Sequence, residues 1–166
     1  MSKTILILDD YLSSNECDEL VTLYENTKLP DTSKDFSVWS GRVKWPIYPK
    51  YLDNKLNAER TRVCEEYFGK KFKLLNPNMT FWKEGHEMSP HSDYGGVNEF
   101  PEREYASIIY LKDDFEGGEL YIPELNFENK PKKGQLVCFQ GGKMMHGVRM
   151  VTKGTRLTHI CWFEVL

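Results

Sequence analysis

Residues 103–123, REYASIIYLKDDFEGGELYIP, hold two short apolar runs, YASIIYL and GELYIP, separated by a charged, glycine-containing turn. The same texture continues from Lys73 to the end of the chain in MTFW, GQLVCF, HGVRMV and RLTHICWFEV. Short apolar runs bounded by Gly, Pro and charged turns read as strands, and many of them at close spacing predict a β-sandwich or barrel. The first part of the chain has a different pattern. After a short strand at Ile5 to Leu8, SSNECDELVTLYENT places Ser13 three residues before Glu16, the capping-box arrangement, and then Leu20, Leu23 and Tyr24 at helical spacing. A second helical stretch, Leu52 to Phe68, sets Leu52, Leu56, Val63 and Tyr67 near one face and stops at Gly69, a fitting left-handed cap. The expected architecture is two amino-terminal helices packed on a carboxy-terminal antiparallel double sheet.

Bulk properties narrow the function. A chain of 166 residues is about one domain long, so residues 1–166 are read as a single domain. A formal net charge of -3, with both signs interspersed, offers no basic stripe for a phosphate backbone, which disfavours nucleic acid as a partner. Lys70, Lys71 and Lys73 form the densest basic run and fit a solvated surface. The apolar run Ile5 to Leu8 is too short for a signal sequence or membrane span, so a soluble, cytoplasmic protein without a membrane partner is expected. Cys17, Cys64, Cys138 and Cys161 are widely spaced and form no C-x-x-C pair, which argues against a zinc ribbon or redox dithiol. Cys138 and Cys161 sit in strand-like runs and read as small buried hydrophobes. Lys28 to Lys50, with Trp39, Trp45 and Tyr48, is too long for a passive connector and reads as a lid or binding surface, or else as a hairpin over the core edge.

The chemistry centres on MSPHSDYGG, residues 88–96. With 25 acidic residues and four histidines in 166, a shuffled chain would carry roughly 0.6 His-x-acid triplets, so the triplet alone is weak. If residues 88–93 are a strand, His91 and Asp93 fall on one face, as two ligands of one metal must. A third ligand would come from His86, His146 or His159; His86 reads as an ordinary exposed histidine and His159 as a satisfied interior or surface one. Two imidazoles and one carboxylate occupy one face of an octahedral ion and leave three positions open, which suits non-haem Fe(II) better than structural zinc. Arg156, ten residues after His146, supplies a planar cationic fork for a carboxylate, and Thr158 shares its strand face.

Together these stretches resemble the prolyl 4-hydroxylase-like Fe(II)/2-oxoglutarate-dependent oxygenases over most of the chain, from ILILDDYLSSNECDELV to CWFEVL. WKEGHEMSPHSD is similar to the family's Gly-containing approach to H-x-D, and REYASIIYLKDDFEGGELYIP to its Tyr-Leu strand followed by a Gly-Gly-Glu turn. PKKGQLVCF resembles its Pro-Lys-x-Gly strand, and HGVRMVTKGTR its distal histidine with a basic residue ten positions on. The resemblance implies an α+β fold with a double-stranded β-helix (jelly-roll) core of antiparallel strands and amino-terminal helices packed on one sheet. It implies His91, Asp93 and His146 as iron ligands and Arg156 as partner of the far carboxylate of 2-oxoglutarate, with Tyr110 and Thr158 assisting. Trp162, six residues beyond Arg156, matches an aromatic position lining the family's site; Arg103 and Ser107 fall in the same motifs with a role that could be structural. Trp82 stands where the family usually has a cosubstrate-pocket tyrosine, and an indole, a donor only, must wire that point differently. Retention of Asp93 argues against halogenation.

The implied reaction consumes Fe(II)-bound 2-oxoglutarate and O2, with ascorbate as a reductant, releases succinate and CO2 and hydroxylates a C–H bond. A prolyl residue of a peptide or protein is the leading substrate. A free amino acid or other small metabolite is the alternative, and a non-catalytic metal-binding double-sheet module is the reading from outside enzymology. A nucleobase demethylase fits less well, given the acidic balance. Lys28 to Lys50 and Tyr94 to Pro101, with its Gly95-Gly96 pair, are the expected mouth of the site.

Overall fold

A computed structural model of the chain describes residues 3–28, 43–95 and 99–166. Trp39 and most of the first mouth segment, with Gly96 of the second, lie outside the described residues. Helix α1 (Ser14–Asn26) opens on the expected capping box: the Ser13 amide donates to Glu16 Oε2 at 2.7 Å and the Glu16 amide to Ser13 Oγ at 3.3 Å. The second helical stretch begins at Lys50 and has three parts: α2 (Lys50–Asn54), a π-helical turn (Lys55–Glu59) and α3 (Arg60–Phe68). Gly69 ends it in the left-handed region at φ 65°. The wide turn rephases the helix. Its fully buried positions become Leu52, Leu56, Arg60 and Cys64, while Val63 and Tyr67, expected on the inner face, are only partly buried.

Among the described residues the larger sheet has six strands. From edge to edge they are β1 (Ile5–Leu8), β9 (Leu136–Phe139), β5 (Tyr105–Tyr110), β12 (Thr155–Val165), β3 (Phe72–Lys83) and β2 (Val43–Lys44). The smaller sheet orders β4 (Met88–His91), β10 (His146–Val148), β7 (Leu120–Ile122) and β8 (Phe127–Asn129). A two-stranded ribbon joins β11 (Val151–Lys153) to β6 (Glu116–Gly117). Every pairing is antiparallel. HGVRMV, read as one strand, is two: after Val148 the Arg149 amide donates to Glu119 O, and the chain leaves the smaller sheet for the ribbon.

Strand alternation divides the interior into two layers. On β12, Leu157, Cys161 and Phe163 pack toward the helices with Leu20, Leu52, Leu56 and Cys64. Ile160 and Trp162 face the opposite way and pack with Ala106, Ile108, Leu120 and Phe139 from both sheets. Arg156 and Thr158 share this second phase of β12. The helices therefore seal one face of the larger sheet and leave its other face for the site.

One polar cluster interrupts the helix-side layer. Arg60 and His159 are both fully buried; one Arg60 Nη reaches His159 O at 3.5 Å, and the Tyr48 ring lies 5.6 Å from the imidazole. Both ring nitrogens of His159, two guanidinium nitrogens of Arg60 and the Tyr48 hydroxyl lack hydrogen-bond partners among the described residues. All four cysteines are free and buried.

Candidate active site

Three side chains of a metal-ligating type converge where the smaller sheet meets the turn after β4. His91 ends β4 and His146 begins β10, and the two residues are paired directly across that ladder with ring centroids 4.4 Å apart. Asp93 does not continue the strand, as alternation had suggested, because β4 stops at His91. The turn instead swings the carboxylate inward and is pinned by the Asp93 amide donating to Gly141 O at 2.9 Å. Asp93 Oδ1 then lies 3.8 Å from His91 Nε2, and Oδ2 3.6 Å from His146 Nε2. One ligand atom from each of the three residues lies within 4.8 Å of the others.

The hydrogen-bonding pattern fixes which nitrogen faces inward. His91 Nδ1 lies 3.1 Å from Ser89 O and His146 Nδ1 2.9 Å from Met144 O. A backbone carbonyl can only accept, so each Nδ1 carries the proton, and in the neutral form that binds metals each ring would turn its Nε2 lone pair toward Asp93. Burial lowers the His146 pKa and the neighbouring His91 adds to this, while Asp93 opposes it. Asp93 Oδ2 is buried without a hydrogen-bond partner among the described residues. Two lone pairs and an orphaned carboxylate oxygen aimed at one point repel one another unless a cation sits among them. The donor set thus fits a divalent ion with coordination positions left for ligands.

The same residues border a cavity of about 280 Å³ lined from both sheets, just below the roughly 300–1,000 Å³ of pockets that enclose drug-sized ligands. Arg156, Thr158, Trp82 and Trp162 line it as well. Arg156 is fully buried, and its Nε donates to Gly118 O at 3.0 Å. Gly118 sits at φ 70°, and a Cβ there would come within 2.9 Å of the Arg156 side chain. The guanidinium carbon lies 5.6 Å from the Trp82 ring centroid and 5.1 Å from that of Tyr110. Burial lowers the Arg156 pKa, and Tyr110 opposes the shift. No carboxylate among the described residues forms an ion pair with it. A buried cation left unpaired in a cavity wall suits an incoming carboxylate.

Tyr110 stands behind the cavity wall rather than in it. Its hydroxyl is near enough to support the guanidinium charge but completes no well-formed hydrogen bond. The Thr158 hydroxyl donates to Thr80 O at 3.3 Å, a bond it would exchange to reach a ligand. Trp162 lines the cavity beneath the Arg103 guanidinium, 4.4 Å from ring centroid to carbon, and Phe100 covers Arg103 on another side at 3.9 Å. Arg103 also borders the cavity. His159 and His86 take no part in the triad: His159 faces the helices, and His86 accepts from the Lys83 amide.

Two contributors were not read from the sequence. Phe139 packs edge-on against His146 at 4.8 Å and holds its ring from below. Gly141 comes so close to the Asp93 carboxylate that a Cβ there would lie 2.2 Å from Oδ2. QGGK had the look of a simple turn, and only the three-dimensional approach reveals why the first glycine is there.

The sequence profile of the 2OG-Fe(II) oxygenase superfamily matches residues 77–164, which carry all three candidate metal ligands and Arg156. The chain belongs to this superfamily. Its members are oxygenases that work with Fe(II), 2-oxoglutarate and O2. Human prolyl 3-hydroxylase 2 is 42% identical over 69 residues, 38% of this chain and 10% of that protein. Chicken (Gallus gallus) prolyl 3-hydroxylase 1 is 43% identical over 69 residues, with the same shares. The match thus spans about a tenth of the length of these relatives. Among solved structures, a viral collagen prolyl hydroxylase from Paramecium Bursaria Chlorella virus-1 superposes with a TM-score of 0.73 at 20% identity, covering 98% of this chain and 96% of that one. A prolyl hydroxylase from Trichoplax adhaerens in complex with a hypoxia inducible factor oxygen degradation domain peptide fragment gives 0.70 at 17%, covering 98% and 84%. These superpositions establish the jelly-roll fold of the oxygenase. No helix among the described residues is long and apolar enough to cross a membrane.

Proposed function

We propose that residues 1–166 act as one oxygenase domain that hydroxylates a prolyl residue in a peptide or protein. His91, Asp93 and His146 would hold Fe(II), and Arg156 would grip the far carboxylate of 2-oxoglutarate, with Tyr110 and Thr158 behind it. The observation that carries the reading is the convergence of the His-Asp-His triad on the cavity that also presents Arg156. The prolyl hydroxylases among the similar proteins, one of them bound to a peptide, support the substrate class.

Bound iron and 2-oxoglutarate supply the oxidant: per turnover one O2 and one 2-oxoglutarate become succinate, CO2 and the new hydroxyl group. The chain fixes geometry and excludes water. Asp93 and the two Nε2 atoms would hold the ion, and Arg156 would orient the cosubstrate. Trp162, Phe100 and the Arg103 stacked between them form an aromatic and cationic wall suited to a pyrrolidine ring and the polar backbone around it. The free, buried cysteines support a reducing compartment such as the cytoplasm.

The test is incubation with Fe(II), ascorbate, 2-oxoglutarate and a proline-containing peptide library, followed by succinate assay and mass spectrometry. A gain of one oxygen on proline, with stoichiometric succinate, is expected. Turnover of free amino acids with every peptide unmodified would refute the peptide reading, and no succinate with any substrate would refute the catalytic assignment of the triad.

A further inference from the structure

We infer that Trp82 is a positioning residue for the cosubstrate: its indole face holds the Arg156 guanidinium charged and aimed into the cavity, in place of a carboxylate partner. The inference rests on the assignment of Arg156 to 2-oxoglutarate. Trp82 on β3 is the direct cross-strand partner of Arg156 on β12, both are buried, and both line the same cavity.

The physical problem is how to keep a buried cation available. A carboxylate neighbour would neutralise Arg156 but would also occupy the fork that the ligand needs. The surroundings do otherwise. One edge is fixed by Nε donating to Gly118 O, and the guanidinium lies near two aromatic rings, Trp82 at 5.6 Å and Tyr110 at 5.1 Å. Ring quadrupoles attract a cation without forming the bidentate hydrogen bonds that a carboxylate makes, so they offset part of the desolvation cost and leave the fork for a ligand. Trp82 also packs against Val148, Val151 and Met88. Two of these, Met88 and Val148, lie on the strands that carry His91 and His146. The indole therefore ties the anion grip to the metal side of the cavity, so the distance between the two ends of a bound 2-oxo diacid is set partly by this one ring.

The test is isothermal titration of the Mn(II)-loaded protein with 2-oxoglutarate and, separately, with 2-oxovalerate, which has the same chain length without the far carboxylate. Trp82→Leu should weaken 2-oxoglutarate about tenfold and the conservative Trp82→Phe about threefold, the scale of a desolvated cation–π contact, with 2-oxovalerate affinity moving less than twofold. In an Arg156→Met background, Trp82→Leu should cost no further affinity. Equal losses for both 2-oxo acids, or unchanged 2-oxoglutarate binding by both Trp82 variants, would overturn the inference. Circular dichroism melting qualifies each variant, and Trp82→Phe decides the matter if Trp82→Leu is unfolded. Arg156→Met alone tests the underlying assignment: undiminished 2-oxoglutarate binding there would refute the cosubstrate reading itself, whatever the Trp82 variants do.

Discussion

Gly141→Ala should damage metal binding far more than folding, for a reason that can be worked from one distance. An alanine Cβ at position 141 would lie 2.2 Å from Asp93 Oδ2 and 3.0 Å from the Ala106 Cβ. Cβ contacts closer than about 3 Å are not tolerated, so the carboxylate must retreat by on the order of 0.8 Å, since Ala106 closes another direction. The backbone at 141 needs no left-handed conformation, and the clashing atom is the free end of a side chain. Folding should therefore lose about 1 kcal/mol or less. A metal ligand has much less room: functional groups must stay within about 0.5 Å of their working position, and disturbing the support of a ligand typically costs 10- to 100-fold in metal affinity. The expected result is Mn(II) affinity weakened at least tenfold by calorimetry, with a melting temperature within about 5 °C of the parent. Wild-type Mn(II) affinity in a folded Gly141→Ala protein would refute the claim that Asp93 completes the site and that Gly141 places it.

Three further predictions concern the rest of the fold. Arg60→Met removes a fully buried cation that has no carboxylate partner among the described residues, so the melting temperature should stay level or rise; a drop of more than about 8 °C would show that Arg60 is well paired. His159 has a pKa held well below the ordinary histidine value, first by burial and then by Arg60. The unfolded chain therefore takes up a proton at His159 that the folded one refuses, and stability should fall as pH drops below about 6.5, by up to about 1.4 kcal/mol per pH unit. Urea titrations from pH 7.5 to 5.5 should show this slope and His159→Phe should flatten it; an unchanged slope would assign the effect elsewhere. Ser13→Ala should cost about 1 kcal/mol through loss of the α1 capping box, read by the same titration, and no measurable loss would show that the cap is redundant.

The strands were legible because their apolar runs are short and bounded by turns of Gly, Pro and charge, and the two-residue period of a strand then sorts their faces. Arg156 and Thr158 were placed on one face of β12 by that periodicity alone. The helix phase beyond Leu56 was not legible, because a π-helical turn adds a residue without any compositional mark, and this put Arg60 and Cys64 where Val63 and Tyr67 were expected. The structure brings His91, Asp93 and His146 together, but by a different route to Asp93 than the one expected. Strand alternation and a turn both bring a residue two positions on to the same side, and only the amide bond to Gly141 O distinguishes them. The contribution of Gly141 was invisible because it depends on a contact between residues 48 positions apart in the chain.

The pairing of His91 with His146 has a consequence for how the molecule survives in a cell. Among the described residues β4 is a four-residue edge strand, bonded on one side only, to β10. Short edge strands are held by few hydrogen bonds and fray at low cost. An ion bound by one histidine from each of these strands and by the carboxylate of the next turn would act as a clasp across the ladder. Proteases would then read iron status directly: cleavage near residues 88–95 should mark the enzyme that has lost its metal, and scarcity of iron would be answered by turnover of the protein as well as by loss of its activity.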